Sequence, residues 1–470
     1  MSNIFYTAAH HLISYNGASS MEDNILLCSQ IVTVKALSDT SSENAAALSK
    51  ILKVHTASTM PSFNKIIECA SVRPESLTEE LNSFFMEWND MLQPEWALFQ
   101  PVSANTATKF LVPLIDSMKL VTLRIDATNE KISAAVFMEE WIKFLSENCK
   151  NICPSTPLDA AKLMAKLIAP QYGETVYDPC SGYASLLINT TREEDSLRLY
   201  GQELNKCSHA LSLMNCILHG NMTARISCGD SIANPILAAD GSLMKFDKSL
   251  AVPPMGMRMP VEMLENDAHN RFNWGLKARS RSEWLFFFDM LAHCREKQGK
   301  LVIMVPMGML YATGNESNLR AQLVEKNLID AVIALPSKML YNTNIATALL
   351  IIDKRREAGA ELEHRKDILF INSANLSETK RGRAELSAES IDHIVSCYNN
   401  RTVEQEFSFV ATVTEIAERG YDLSPDVYTC PPPAVEQVDS QALAQEINEL
   451  EALIKTKQQK LDELLKKLRK

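Results

Sequence analysis

The sequence predicts an α/β protein built on a doubly wound, mostly parallel sheet, with a helical N-terminal domain before it and a C-terminal coiled-coil helix after it. Three observations lead there. From about residue 157, short apolar or β-branched runs alternate with helix-length segments, the rhythm of a parallel sheet covered on both faces. Residues 1–150 carry apolar residues at three- and four-residue spacing instead. The last 30 or so residues repeat apolar positions in alternating steps of four and three, as a heptad does.

In the first 150 residues the helical signals are AAALSKILKVH, SLTEELNSFFMEW and SAAVFMEEWIKFLSENC, and no catalytic cluster accompanies them. The expected strands are TVYD (175–178), LRLYGQE (197–203), ARISCGD (224–230), FDKSLAV (246–252), KLVIMVP (300–306), DAVIALP (330–336), TALLIID (347–353) and DILFINS (367–373). Helical stretches such as LDAAKLMAKLIA and KCSHALSLMNCILHG separate them. After about 376 the chain turns polar and mixed, and Cys430-Pro431-Pro432-Pro433 is a stiff break. Beyond it Leu443, Ile447, Leu450, Ile454, Leu461, Leu464 and Leu468 form an apolar seam interrupted by Lys457. A coiled coil is expected there, with a single amphipathic helix lying on its own domain as the alternative. The domain boundaries that follow are 1–150, 151–376, 377–433 and 434–470.

Composition narrows the function. The 470 residues are 46% hydrophobic and 22% charged, ordinary for a soluble globular chain. No run approaches the roughly 18 apolar residues of a membrane span, and the N-terminus has no basic region of a secretory signal. A cytoplasmic protein without a membrane partner is expected. The 11 cysteines are scattered, with only Cys149 and Cys153 close together, so buried thiols are expected rather than a metal site. A net charge of −11 argues against coating nucleic acid alone, because that needs clustered Lys and Arg. Any DNA contact must come from a local basic surface or a partner subunit.

In doubly wound sheets ligands sit beyond the carboxyl ends of the strands, and four strand ends stand out. Asp178-Pro179-Cys180-Ser181-Gly182-Tyr183-Ala184 runs from a strand through a small-residue turn into a helix, where a ligand approaches backbone and a helix N-terminus. Glu203 follows about 20 positions later, the spacing at which an acid holds a ribose diol; by itself it is equally a helix cap. Gly229-Asp230 ends the next strand, where a carboxylate or neighbouring amides hold an adenine, or simply make a turn. Val252-Pro253-Pro254-Met255 ends the fourth.

Taken in order, these turns resemble the cofactor and catalytic motifs of amino-group DNA methyltransferases. Arg271-Phe272-Asn273-Trp274-Gly275-Leu276, Ser282-Glu283-Trp284-Leu285-Phe286 and the whole stretch 300–354 resemble, more specifically, the modification subunits of type I restriction-modification systems. Ser155-Thr156-Pro157 and Tyr421-Asp422-Leu423-Ser424 match as well, so the resemblance covers about 280 residues. It implies a methyltransferase sheet that binds S-adenosylmethionine and methylates adenine N6 in DNA, within a complex with a specificity subunit and a restriction (nuclease) subunit. By the same resemblance Thr156, Asp178, Gly182, Glu203 and Asp230 contact the cofactor. Arg271, Arg279 and Arg281 face DNA phosphates, although an ordinary solvated helix start explains them equally. Partner association would run through 438–470.

The family tetrapeptide is Asn or Asp, Pro, Pro, then Tyr or Phe. Here Val252 replaces the polar acceptor and Met255 the ring, while Pro253 and Pro254 remain. Only Ser249, near the other end of the strand, offers a nearby hydroxyl on the same face. Tyr183 and Ala184 also enlarge a turn that the family keeps small. Three readings stay open: a working adenine methyltransferase subunit, a catalytically degenerate subunit that keeps DNA or partner binding, and a free-standing methyltransferase for RNA or protein.

Overall fold

The computed structural model describes residues 2–15, 19–53, 60–103, 106, 108–149, 155–257, 267–277, 280–341, 343–380, 382–430 and 449–461. Helices come first: α1 (Ser2–Ile13), α2 (Met21–Leu52), α3 (Asn64–Val72), α4 (Leu77–Met91), α5 (Thr108–Met118) and α6 (Ala134–Asn148). A capping box starts α2: Ser20 Oγ accepts the Asp23 amide at 3.0 Å, and Asp23 accepts the Ser20 amide at 3.1 Å. This satisfies donors that a helix start otherwise leaves orphaned. Ser29 Oγ on α2 accepts the Trp141 indole N–H at 2.9 Å, tying α6 to α2 through a buried bond.

The α/β part follows as α7 (Leu158–Ile168), β1 (Thr175–Asp178), α8 (Ser185–Thr190), β2 (Arg198–Glu203), α9 (Lys206–Leu218), β3 (Arg225–Cys228), β4 (Lys248–Ala251), α10 (Glu283–His293), β5 (Lys300–Pro306), α11 (Gly308–Tyr311), α12 (Asn315–Glu325), β6 (Ile329–Ala334), β7 (Thr347–Asp353) and β8 (Asp367–Asn372). Each of the eight expected strands forms, with ends within two residues of expectation. The polar stretch after 376 holds more order than its sequence suggests: a hairpin of β9 (Ser377–Lys380) and β10 (Arg383–Leu386), α13 (Ala388–Asn400), β11 (Ser408–Thr412), α14 (Val413–Glu418) and α15 (Pro425–Thr429).

Nine strands make one sheet in the order β11-β8-β6-β7-β5-β4-β1-β2-β3. Neighbours are parallel except that β7 runs against both β5 and β6, and β11 runs against β8. The sheet is therefore mostly parallel, as expected. Alternation along β5 shows why it is wound on both faces: Leu301, Ile303 and Val305 join the core under α10 and α12, while Val302 and Met304 join the core that includes α7 and α8. A strand buried on both faces needs a continuous apolar run, and KLVIMVP supplies one.

The core on the α7 side is continuous from Phe5 to Tyr398, so the N-terminal helices and the sheet share it. The chain order reverses between β1 and β4, the switch point at which such sheets open a crevice. Among the described residues no cysteine forms a disulfide, and Cys153 lies outside the described residues. Among the described residues no helix is long and apolar enough to cross a membrane.

Residues 430–470 form a second unit. Within it 449–461 are helical with every side chain exposed, including Leu450, Ile454 and Leu461 of the expected seam. Leu443, Ile447, Leu464 and Leu468 lie outside the described residues.

Candidate functional site

The strand ends singled out by sequence converge on one cavity of about 600 Å³. Thr156, Asp178, Gly182, Glu203, Asp230 and all of Val252-Pro253-Pro254-Met255 line it. That volume lies in the range of small-molecule and cofactor sites, roughly 300–1,000 Å³.

The turn after β1 is built by local necessity. Gly182 has φ +52°, a left-handed conformation that glycine takes without strain. Its amide donates to Glu203 Oε2 at 2.9 Å, and the Asn205 amide donates to Glu203 Oε1 at 2.7 Å. Glu203 thus clips the end of β2 to the turn, while each carboxylate oxygen keeps a lone pair for a ligand. β2 approaches so closely that a Cβ on Gly201 would lie 3.0 Å from the Ser181 side chain.

Asp178 is 1% exposed. Its Oδ1 accepts the Cys180 amide at 3.0 Å, and its Oδ2 is buried without a partner. Burial pushes this carboxyl up to about 7, against the pull of the Cys180 bonds and with a further push from Glu203. An orphaned buried oxygen on a cavity wall fits a ligand that brings a donor or a positive charge.

Asp230 spends one oxygen on its own turn: Oδ1 accepts the amides of Ile232 at 2.9 Å and Ala233 at 3.2 Å. Those two amides are therefore committed to Asp230. Tyr183 is buried in the core, and its carbonyl accepts the Asn215 side-chain amide at 2.7 Å. Ala184 sits at φ +60° as the N-cap of α8, where a Cβ is strained.

At the other side of the cavity, the altered tetrapeptide leaves β4 as a turn. The Gly256 amide, at φ +73°, donates to the buried Glu283 carboxylate at 2.9 Å. Ser249 does not replace the missing acceptor: its hydroxyl is fully buried in the sheet and donates to the Tyr177 carbonyl at 3.1 Å.

The basic residues expected to meet phosphates divide. Arg271 is a correction: it is 3% exposed and paired with Asp267 at 2.8 Å and Asp289 at 2.6 Å, so its charge is spent inside the fold. Arg281 is bound to Glu316 at 2.9 Å with its side chain 39% exposed. It passes so close to Gly308 that a Cβ there would lie 2.6 Å from its guanidinium. Arg279 lies outside the described residues.

Several lining residues carried no sequence signal. Glu22 comes from the N-terminal helices, Ser231 and Ile232 from the loop after β3, and Tyr341 and Thr343 from the stretch before β7. A second cavity of about 470 Å³ adjoins, sharing Ser155, Thr156, Ser185 and Tyr341. On its wall Arg383 pairs with Asp159 at 3.2 Å and with Glu385 at 2.8 Å.

The family model described as N-6 DNA Methylase matches residues 144–437, well over half of the chain. The chain belongs to the N-6 DNA methylase family. It is 30% identical over 345 residues to the type I restriction enzyme MjaVII methylase subunit of Methanocaldococcus jannaschii, covering 69% of this chain and 57% of that one. With the MpnII methylase subunit of Mycoplasma pneumoniae it shares 28% identity over 372 residues, 73% of this chain and 64% of the relative. The chain thus spans less than two thirds of the length of these relatives. In fold it resembles the type I restriction-modification system methyltransferase subunit from Streptococcus thermophilus, with a TM-score of 0.73 and 20% identity over 92% of this chain and 100% of that one. The matched residues include Thr156 and all four strand ends that line the cavity, the tetrapeptide among them.

Proposed function

We propose that this N-6 DNA methylase chain is the modification subunit of a type I-like complex. In this reading it binds S-adenosylmethionine and methylates adenine N6 in DNA chosen by a specificity subunit, in the cytoplasm, alongside a restriction subunit. The observation that carries the reading is the single cavity lined by Thr156, Asp178, Gly182, Glu203, Asp230 and the Pro253–Pro254 turn.

The residues present fit the cofactor. Glu203 keeps lone pairs for a ribose diol, and the unpartnered Asp178 Oδ2 favours a positively charged ligand. When bound, S-adenosylmethionine supplies an electrophilic methyl group. The target adenine must leave the duplex stack to reach such a pocket. The Pro253 carbonyl then accepts a hydrogen bond from the adenine amino group and stabilises charge where it develops. Val252 offers no second acceptor, and losing one such group costs on the order of 100- to 1,000-fold in rate. Met255 packs on a base less rigidly than a ring does. Turnover is therefore slow in this reading.

Val252 and Met255 also favour a second reading, a catalytically degenerate subunit that keeps DNA or partner binding without methyl transfer. The helix at 449–461, with exposed Leu450, Ile454 and Leu461, supports docking to the partner through 438–470 in either case. Titration calorimetry with S-adenosylmethionine tests the cofactor site, and no heat of binding would sink the first reading. Tritiated methyl transfer to unmethylated DNA, with the partner present, separates the two: slow transfer supports the first, and a rate equal to a no-enzyme blank supports the second.

A further inference from the structure

Arg271 stands where the segment following the Pro253–Pro254 turn meets the wall of the cavity. Its Nε and Nη2 donate to Asp267 Oδ1 at 2.9 and 2.8 Å, and its Nη1 donates to Asp289 Oδ1 at 2.6 Å. The same guanidinium reaches the loop after β3. Nη1 donates to the Ser231 carbonyl at 3.1 Å and Nη2 to the Ile232 carbonyl at 2.5 Å. Both residues line the cavity. From the other side, Asp230 Oδ1 accepts the Ile232 amide at 2.9 Å. The wall at Ser231 and Ile232 is therefore gripped twice, through the Ile232 amide by Asp230 and through both carbonyls by Arg271.

Asp289 anchors the guanidinium from below. It is fully buried on α10 and also accepts the Tyr177 hydroxyl of β1 at 3.3 Å. The same hydroxyl proton is shared with Gln202 Oε1 at 3.1 Å, and Gln202 Nε2 donates to the Asn234 carbonyl at 2.9 Å. One connected set of polar contacts thus runs from β1 and β2 to the loop that forms this wall. A buried ion pair is a poor source of stability, since apolar residues of like volume often do as well. What a guanidinium adds is a rigid fork of donors with fixed directions, here aimed at two successive carbonyls.

We propose that Arg271 is a positioning residue for cofactor binding: it touches no ligand itself but fixes the Ser231–Ile232 wall against which the cofactor lies. The inference rests on the S-adenosylmethionine reading above. Substituting Arg271→Lys keeps the charge and removes the fork. Its affinity for S-adenosylmethionine, measured by calorimetry below the melting midpoint, falls about tenfold, the equivalent of one charge-assisted hydrogen bond. In the ligand-free variant, hydrogen exchange at the Ile232 and Ala233 amides speeds up while the Gly182 amide, held by Glu203 on the opposite wall, keeps its protection. A role in bulk stability alone would accelerate all three together. Asp289→Asn, a milder change that removes the anchoring charge, shifts affinity and exchange the same way by about threefold and carries the test if Arg271→Lys does not fold. Wild-type affinity in both variants overturns the inference, as does uniform acceleration at the three amides. Glu203→Ala separates this from the underlying reading. If Glu203→Ala loses the cofactor and Arg271→Lys does not, only the inference fails; if the unaltered protein binds no S-adenosylmethionine, both fail.

Discussion

Three side chains on the cavity wall, Val252 with Met255 and Asp178 by itself, make two separate predictions. Restoring the acceptor and the ring together, Val252→Asn with Met255→Phe, raises tritiated methyl transfer to DNA by on the order of 100-fold. If the unaltered protein with its partner already matches the double variant, the weight placed on Val252 is wrong. Asp178 makes the other. Burial holds its carboxyl at about 7 instead of 3.8, so between those values the folded state binds more protons than the unfolded state. Stability contributed by the protonated form is full at low pH and is lost as pH rises through that window, by up to about 4 kcal/mol. Cofactor binding has the opposite sign, because a cationic ligand prefers the ionised carboxylate. The urea midpoint of the wild type should drop between about pH 4 and pH 7 relative to Asp178→Asn, whose curve lacks this dependence. Parallel curves for the two proteins would remove Asp178 as the cause. At this scale the sequence was readable where a residue's placement follows from its own strand end: Asp178, Glu203 and the Pro253–Pro254 turn all reach the cavity. It misled at Arg271, because a loop arginine looks solvated. The pairing signal was present all the same, with Asp267 four residues before and Asp289 on the next helix, but only the fold brings Asp289 within reach.

Elements differ in how plainly they are written. β5, β6 and β7 are buried along their whole length, and their apolar runs, interrupted by Asp330 in β6, could be read directly. The direction of β7 could not, because a strand buried on both faces looks alike whichever way it runs. β9 reads Ser-Glu-Thr-Lys, and its pairing with β10 depends on a turn through Gly382 at φ +81°. β11, an edge strand, is only partly buried. Such strands carry no apolar signature, which is why the stretch after 376 reads as irregular. The first turn of α8 offers a test at this scale. Ala184 occupies a left-handed N-cap at φ +60°, so Ala184→Gly relieves a Cβ clash and stabilises the protein by about 0.5–1 kcal/mol, net of the flexibility glycine adds to the unfolded chain. Denaturant melts of the two proteins measure the difference. A lower midpoint for the glycine variant would mean that the Ala184 methyl, buried in the core, contributes more by packing than its backbone strain costs.

In the molecule as a whole, the helical N-terminal part shares its core with the sheet, and Glu22 of α2 reaches the wall of the cavity. The described helix of the second unit exposes Leu450, Ile454 and Leu461, and the proposed docking through 438–470 predicts what its removal does. Deleting 438–470 should abolish co-purification with the specificity subunit while leaving S-adenosylmethionine affinity unchanged. Retained co-purification would move the dock elsewhere.

The position of β7 has a consequence for how the protein comes into being. β7 lies between β5 and β6 although it follows both in the chain. On the ribosome, where residues emerge at about 5–20 per second, β5 and β6 must therefore wait, with an unfilled slot between them, until residue 353 is out. Tyr341 and Thr343, which complete the cavity wall, immediately precede the late strand. A nascent chain has its first four strand ends in hand well before then. It gains a finished pocket only when the last central strand slides home, and until that moment the facing edges of β5 and β6 carry unpaired backbone groups.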